Sequence, residues 1–282
     1  MIKNNEKDYA APWSSIASSW QLLTPPWRPG KENIAYYEKI LKKQIKGIKN
    51  PKVLILGATP EIRDMLAKHK NIEVVLADYN MEMVLAMNEL VIKKNFQNER
   101  WLKTSWIDMP LEKGYFDMIF GDYVLSQLPE NLTNKFIGHI KSLLNKNGRF
   151  ITRVIYYNPE IAMSFFDIMK KFEKVELSNQ SISDVASYAC FEKKSCTKKG
   201  GLFVFKLATL KKHMNAYEKK YGKSGWMAGL DNIFAPYTKE WFCYDLKNTE
   251  KNINKFFKIE DRVDEPKGSS FEDVTFTYTL KP

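Results

Sequence analysis

A chain of 282 residues, 44% of them hydrophobic, can bury one large core or a core with a smaller cap, and its composition excludes wholesale disorder. No stretch reaches the roughly 18–20 uninterrupted apolar residues of a membrane helix. The start, MIKNNEKDYAAPW, carries lysines without the apolar segment of a secretory signal, so a cytoplasmic protein without membrane contact is expected. The net charge is +11, yet only six of the 44 basic residues are arginine (Arg28, Arg63, Arg100, Arg149, Arg153, Arg262) and the lysines are scattered. Phosphate and base recognition favour arginine's planar fork. The charge is therefore read as a solvated lysine-rich surface, with nucleic acid a possible but not a favoured partner.

Residues 1–48 form an N-terminal helical lid segment with three tryptophans, Trp13, Trp20 and Trp27, the last inside the breaker TPPWRPG. A helix follows over Glu32–Ile48, with Ile34, Tyr37, Leu41, Ile45 and Ile48 on one stripe. From residue 49 to 157 strands and helices alternate. PKVLILGA reads as a buried parallel strand, PEIRDMLAKH as a helix, IEVVLAD as a strand and MEMVLAMNELVIKK as a helix. A weaker strand near RWLKTS, the strand FDMIFGD and the helix LTNKFIGHIKSLLNK come next. Asn147-Gly148 is expected to cap that helix before a fifth strand, RFITRVI. Repeated strand–helix units imply a doubly wound α/β sheet, mostly parallel, with a ligand crevice at the carboxyl ends of its strands. Residues 158–255 break the rhythm with aromatic-rich patches and read as an acceptor-side cap insertion. Residues 256–282 read as a closing β hairpin, two strand-like runs separated by PKGSS.

The ligand-binding residues gather at strand ends. Gly57 after the first strand permits a tight turn and close approach to a ligand, with Ala58 beside it. Thr59 could cap the following helix, Pro60 suits its first position, and Glu61 complements its dipole. A well-capped helix start would read the same way. Asp78, followed by Tyr79, closes the second strand 21 residues after Gly57, a spacing at which doubly wound folds place a ribose-binding acid. A turn aspartate is the alternative. Past the third strand come Trp106, Ile107 and Asp108, where an apolar side chain could pack on a purine and the acid accept from its amine. The fourth strand delivers Gly121, Asp122 and Tyr123 to the same edge. Cys190, Cys196 and Cys243 lack metal-ligand or disulfide spacing, as do His69, His139 and His213, so reduced cysteines and no metal are expected.

The ordered set VLILGATPE, VVLADYN, SWIDMP, FDMIFGDYVLSQLP and NGRFITRV resembles the successive motifs of class I S-adenosylmethionine-dependent methyltransferases. The resemblance covers about residues 51–156, with the hairpin of 256–280 plausibly included. It implies a Rossmann-like seven-stranded sheet with an antiparallel last strand, a ribose contact at Asp78 and an adenine contact at Asp108. It also implies S-adenosylmethionine as cofactor and S-adenosylhomocysteine as product. The chain departs from the pattern at Ile55, where the family usually carries an acid, and at Thr59 and Glu61, where later glycines usually stand. S-adenosylmethionine has no phosphate, so an acid at a helix start opposes it less than it would a pyrophosphate. No [DN]PP[YF] motif for base methylation and no cysteine nucleophile motif is present, which favours a small-molecule methyl acceptor; an RNA- or protein-directed methyltransferase, or a non-catalytic module retaining the fold, is the alternative. Transfer is an in-line displacement needing a general base only if the acceptor must lose a proton, and no catalytic dyad is found. Tyr123, Tyr156, Tyr157 and His213 are candidate rim residues.

Overall fold

The computed structural model describes residues 20–93, 98–199, 202–235 and 241–282; Trp13 and the rest of the first 19 residues lie outside them. Its main sheet has seven strands: β1 (Lys52–Leu56), β2 (Glu73–Asp78), β3 (Glu99–Lys103), β4 (Phe116–Asp122), β5 (Leu144–Ile155), β9 (Lys258–Asp264) and β10 (Thr275–Lys281). They lie in the order β3-β2-β1-β4-β5-β10-β9. The first five are parallel, and β10 runs antiparallel between β5 and β9. The last strand is antiparallel, as expected, but it is inserted one place in from the edge. The central strands read as unbroken apolar runs because both faces are covered. The two edge strands carry charge instead, Glu99, Arg100 and Lys103 on β3 and most of KIEDRVD on β9, which blunts pairing with other chains.

The pleat divides β1 between two layers. Val53 and Ile55 pack with Tyr37 and Leu41 of α1 (Lys31–Gln44) and with Ile62, Met65 and Leu66 of α2 (Pro60–Leu66). Leu54 and Leu56 face Phe136, Ile137 and Ile140 of α4 (Glu130–Leu143) and Ile253 of α9 (Leu246–Asn254). Between these helices in sequence, α3 (Met81–Leu90) sets Met83, Val84 and Met87 against Leu76.

Three local expectations change. The helix predicted over MEMVLAMNELVIKK stops at Leu90, because Val91 turns extended (φ −70°, ψ 124°). Asn147-Gly148 caps no helix: α4 runs directly into β5, and the pair lies in that strand where the β4–β5 register shifts. A Cβ at Gly148 would stand 2.9 Å from the Phe116 carbonyl oxygen, so close strand approach, not a left-handed cap, accounts for this glycine. Thr59 occupies the N-cap of α2, but its hydroxyl makes no bond to the helix.

The cap comprises α5 (Phe165–Lys171), α6 (Asn179–Ala189), α7 (Leu207–Tyr221) and α8 (Gly225–Phe234) around an antiparallel sheet, β6 (Cys196–Lys199), β7 (Leu202–Phe205) and β8 (Trp241–Tyr244). Its core is not made by this insertion alone. Leu23 and Trp27 from the N-terminal segment, and Phe271 and Val274 from the β9–β10 connection, are buried in the same cluster as Phe165, Ile168 and Leu230. Tyr157 ties cap to sheet: its N–H donates to the Tyr244 carbonyl and its ring stacks on Phe203.

Candidate functional site

A cavity of about 1130 Å³, its open mouth included, lies at the carboxyl ends of β1, β2, β4 and β5 beneath the cap. Its lining includes Gly57, Ala58, Thr59, Asp78, Tyr79, Trp106 and Asp122, seven of the residues singled out from sequence. The other four do not line it. Pro60 is buried at the first position of α2, Ile107 is buried, and Gly121 is packed in β4 under Val124. Asp108 is exposed, near enough to His139 on α4 to raise its pKa.

One wall is built by β1 and β2. Gly57 has φ +92°, a conformation costly for any side chain, and a Cβ there would stand 3.8 Å from both Asp78 Oδ2 and Trp106 Cζ2. The glycine thus leaves open the space shared by a carboxylate and an indole face. Both neighbours are fixed by backbone: Trp106 Nε1 donates to the Ala77 carbonyl of β2 (2.8 Å), and Asp78 Oδ1 accepts from the N–H of Asn80, the N-cap of α3 (2.7 Å). This arrangement fits an adenosine, whose ribose hydroxyls can donate to Asp78 while its base lies against an aromatic face. Glu61 does not stand there as a bare charge, because it is half of an ion pair with Arg28 of the N-terminal segment. Burial raises its carboxyl pKa, and Arg28 pulls it back down.

The opposite wall is aromatic and comes from three distant segments. Trp27 meets Trp241 edge-to-face with centroids 5.1 Å apart and lies 5.6 Å from Phe271. Tyr123 meets Phe271 at 6.1 Å. The Trp27 indole N–H donates to the Ser183 carbonyl on α6, fixing the N-terminal segment to the cap. Of the other candidate rim residues, Tyr156 stacks on Phe276, Tyr157 serves the junction described above, and His213 Nδ1 lies 3.2 Å from a Glu192 carboxylate oxygen; none of the three lines the cavity.

A buried charge network underlies the boundary between the walls. Arg153, fully buried on β5, faces Asp122 in register on β4 and donates to both its oxygens (2.7 and 2.9 Å). It also donates to Glu265 (3.1 Å), which accepts from Asn33 of α1. Burial would depress the guanidinium pKa, but Asp122, Tyr123 and Glu265 outweigh it and hold it well above its ordinary value. Burial raises the Glu265 carboxyl against the pull of Arg153. The Tyr123 ring lies 4.3 Å from the Arg153 guanidinium carbon, its backbone is left-handed (φ 53°), and its hydroxyl donates to the Pro26 carbonyl. Burial keeps that phenol protonated by raising its pKa well above the usual value. Non-glycine residues in this region carry about 1–3 kcal/mol of strain and persist where the surroundings over-determine them.

Sequence reasoning missed the aromatic wall's assignment and the support beneath it. Trp241 and Phe271 had no local signal. Arg153 did: an arginine within an apolar parallel strand requires a buried partner.

The sheet order, the antiparallel β10 and the cavity at the strand ends define the class I methyltransferase architecture. A family model for the methyltransferase domain matches residues 61–256, and the chain belongs to that family. No curated protein sequence matches the chain. Among solved structures it is similar to 1,6-didemethyltoxoflavin-N1-methyltransferase of Burkholderia thailandensis, solved with its namesake compound and S-adenosylhomocysteine, at 12% identity and a TM-score of 0.54 over 100% of this chain and 92% of that one. It is also similar to the N-methyltransferase NodS of Bradyrhizobium japonicum with S-adenosylhomocysteine, at 11% identity and a TM-score of 0.50 over 96% and 98%. A Rhodobacter sphaeroides protein named as a Zn-dependent alcohol dehydrogenase aligns over 99% of both chains at 13% identity and a TM-score of 0.62. At these identities the likeness is one of fold. Among the described residues no group of three or more His, Cys, Asp or Glu side chains could hold a metal ion, and no helix is long and apolar enough to cross a membrane. Cys190, Cys196 and Cys243 are free, and burial pushes the Cys196 thiol up to about 12.

Proposed function

We propose that this S-adenosylmethionine-dependent methyltransferase acts on a small-molecule acceptor enclosed between the strand ends and the cap. The observation that carries this reading is the division of one cavity into a Gly57–Asp78–Trp106 wall and an aromatic wall to which the cap contributes Trp241. A concave site of this kind suits a small molecule better than a polymer. Asp78 would accept hydrogen bonds from the ribose hydroxyls, Trp106 would pack on the adenine, and the Gly57–Thr59 turn would lie along the nucleoside. Asp122 and Tyr123 would border the methionine end, where the two walls meet. The bound cofactor supplies an electrophilic methyl group on a sulfonium. The protein's contribution is alignment, which can supply roughly 7–11 kcal/mol when two reactants are held in a near-attack pose. The two solved methyltransferases named above methylate nitrogen by name, which agrees with a small acceptor without assigning one.

Calorimetric titration with S-adenosylmethionine tests the reading. A micromolar dissociation constant, weakened by about 10–100-fold in Asp78→Ala, is expected; no heat of binding in the wild-type protein would overturn it.

A further inference from the structure

The wall opposite Asp78 carries information about the acceptor, given the methyltransferase reading on which this inference rests. We propose that the acceptor is a flat, uncharged aromatic molecule that presents a nitrogen lone pair and is held against Trp27, Trp241 and Phe271.

The shape argument comes from the rings. Trp27 and Phe271 are almost wholly buried, at 6% and 1% exposure, and pack edge-on to their neighbours while still bordering the cavity. Rings fixed by burial form a surface that loses little freedom when a ligand arrives. A flat ring can stack on Trp241, which is only half-buried, and meet the edges of Trp27 and Phe271, whereas a flexible aliphatic chain gains none of this geometry.

The charge argument comes from the carboxylates. Asp78 and Asp122 both line the cavity, and the one guanidinium beside Asp122, that of Arg153, is fully buried behind it. An acceptor carrying a carboxylate or phosphate would meet like charge in a partly dehydrated space. A protonated amine would suit the field but has no lone pair with which to attack. The neutral molecule is the form that both satisfies the field and reacts.

The nucleophile argument comes from hydrogen bonds already made. Both Asp122 oxygens accept from Arg153, the Tyr123 hydroxyl donates to Pro26, and the Ser126 hydroxyl donates to the Tyr123 carbonyl (2.7 Å). Among the described residues, the groups nearest the junction of the walls are thus committed and none is poised to take a proton. An alcohol acceptor would need one that did. With a nitrogen lone pair no prior deprotonation is required. Transfer forms one nitrogen–carbon bond from that lone pair and breaks the carbon–sulfur bond, whose electron pair stays on sulfur. Positive charge passes from sulfur to nitrogen, and any nitrogen-bound proton leaves afterwards to water. Aromatic faces stabilise the charge developing on the acceptor, which is where the wall's rings stand.

The test is equilibrium binding to the full chain saturated with S-adenosylhomocysteine at neutral pH, with quinoline, quinoline-4-carboxylate and cyclohexylamine as probes. Quinoline is expected to bind at least about tenfold more tightly than either of the others, a difference one stacked, uncharged ring can supply. Trp241→Ala should weaken quinoline about tenfold, and Trp241→Phe should recover most of that loss, while S-adenosylhomocysteine affinity stays within about threefold in both. Equal or tighter binding of the carboxylate, no quinoline binding to the loaded wild-type protein, or quinoline binding unchanged in both Trp241→Ala and Trp27→Ala would overturn the proposal. Failure of S-adenosylhomocysteine itself to bind would instead overturn the methyltransferase reading, and is seen before any probe is added.

Discussion

The two walls of the cavity are built in opposite ways. The Gly57–Asp78–Trp106 wall is made within some 50 residues of continuous sequence, with Gly57 and Asp78 at the ends of parallel strands, Trp106 in the loop after β3, and Asp78 and Trp106 fixed by the backbone of Asn80 and Ala77. The aromatic wall joins Trp27, Trp241 and Phe271, which come from the N-terminal segment, the last cap strand and the β9–β10 connection. The first depends on backbone geometry and is indifferent to what the cap contains. The second depends on packing between segments far apart in the chain, so it can change its chemistry without disturbing the sheet. On the proposed function, the cofactor lies against the first wall and the acceptor against the second.

Arg153 lies under the boundary, and its removal should have the largest effect. Arg153→Met leaves Asp122 and Glu265 buried without their cation, and stability measured by urea unfolding should fall by about 3–5 kcal/mol. The deficit should shrink as pH is lowered. Burial already raises the folded-state pKa of Glu265 above its unfolded value, so the native state binds the proton first, and stability tied to this group falls as pH rises through that window. A variant as stable as wild type at neutral pH would mean that the network is not what holds the walls together.

Phe271→Ala separates the walls next. Phe271 touches Trp27, Tyr123 and Phe191, and its loss should cost about 3 kcal/mol in thermal unfolding, near the low end for a buried phenylalanine because the site borders a cavity. Gly57→Ala should cost less, about 1–2 kcal/mol, since it forces a side chain into a left-handed conformation at φ +92°. Its effect on S-adenosylhomocysteine binding should nevertheless exceed that of Phe271→Ala, which is the reverse of their order in stability.

The smallest effect concerns Asp108. Burial lowers the His139 pKa, while the Met109 carbonyl and the Asp108 charge raise it. In Asp108→Asn the His139 pKa, followed by NMR titration of the ring protons, should fall further. No change would place the Asp108 charge away from α4, on the side where the family resemblance sets the adenine.

Much of the first wall was legible in the sequence and little of the second. Gly57 and Asp78 stand out because strand ends, a breaker and a 21-residue spacing are local signals, and the continuous apolar runs of β1, β2 and β4 forecast a sheet covered on both faces. Asp108 was singled out by the same motif logic, yet it lies exposed outside the cavity lining, because the loop after β3 turns Trp106 inward and carries the acid toward α4. Asn147-Gly148 looked like a helix stop, since that pair serves as well in a left-handed cap as in a tight strand crossing, and only the β4 backbone decides between them. Trp241 and Phe271 carry no spacing relation to Gly57, and their convergence depends on how the cap folds. Trp27 was read as part of a lid; its role as the ring joining the other two follows from the Ser183 carbonyl that anchors it.

The division of labour between the walls is tested most directly by titrating S-adenosylhomocysteine into Asp78→Ala and Trp241→Ala side by side in the calorimeter. Loss of a charged hydrogen-bond partner should weaken binding to Asp78→Ala by about 10–100-fold, while Trp241→Ala stays within about threefold of wild type. Comparable losses in both variants, or none in Asp78→Ala, would contradict the account.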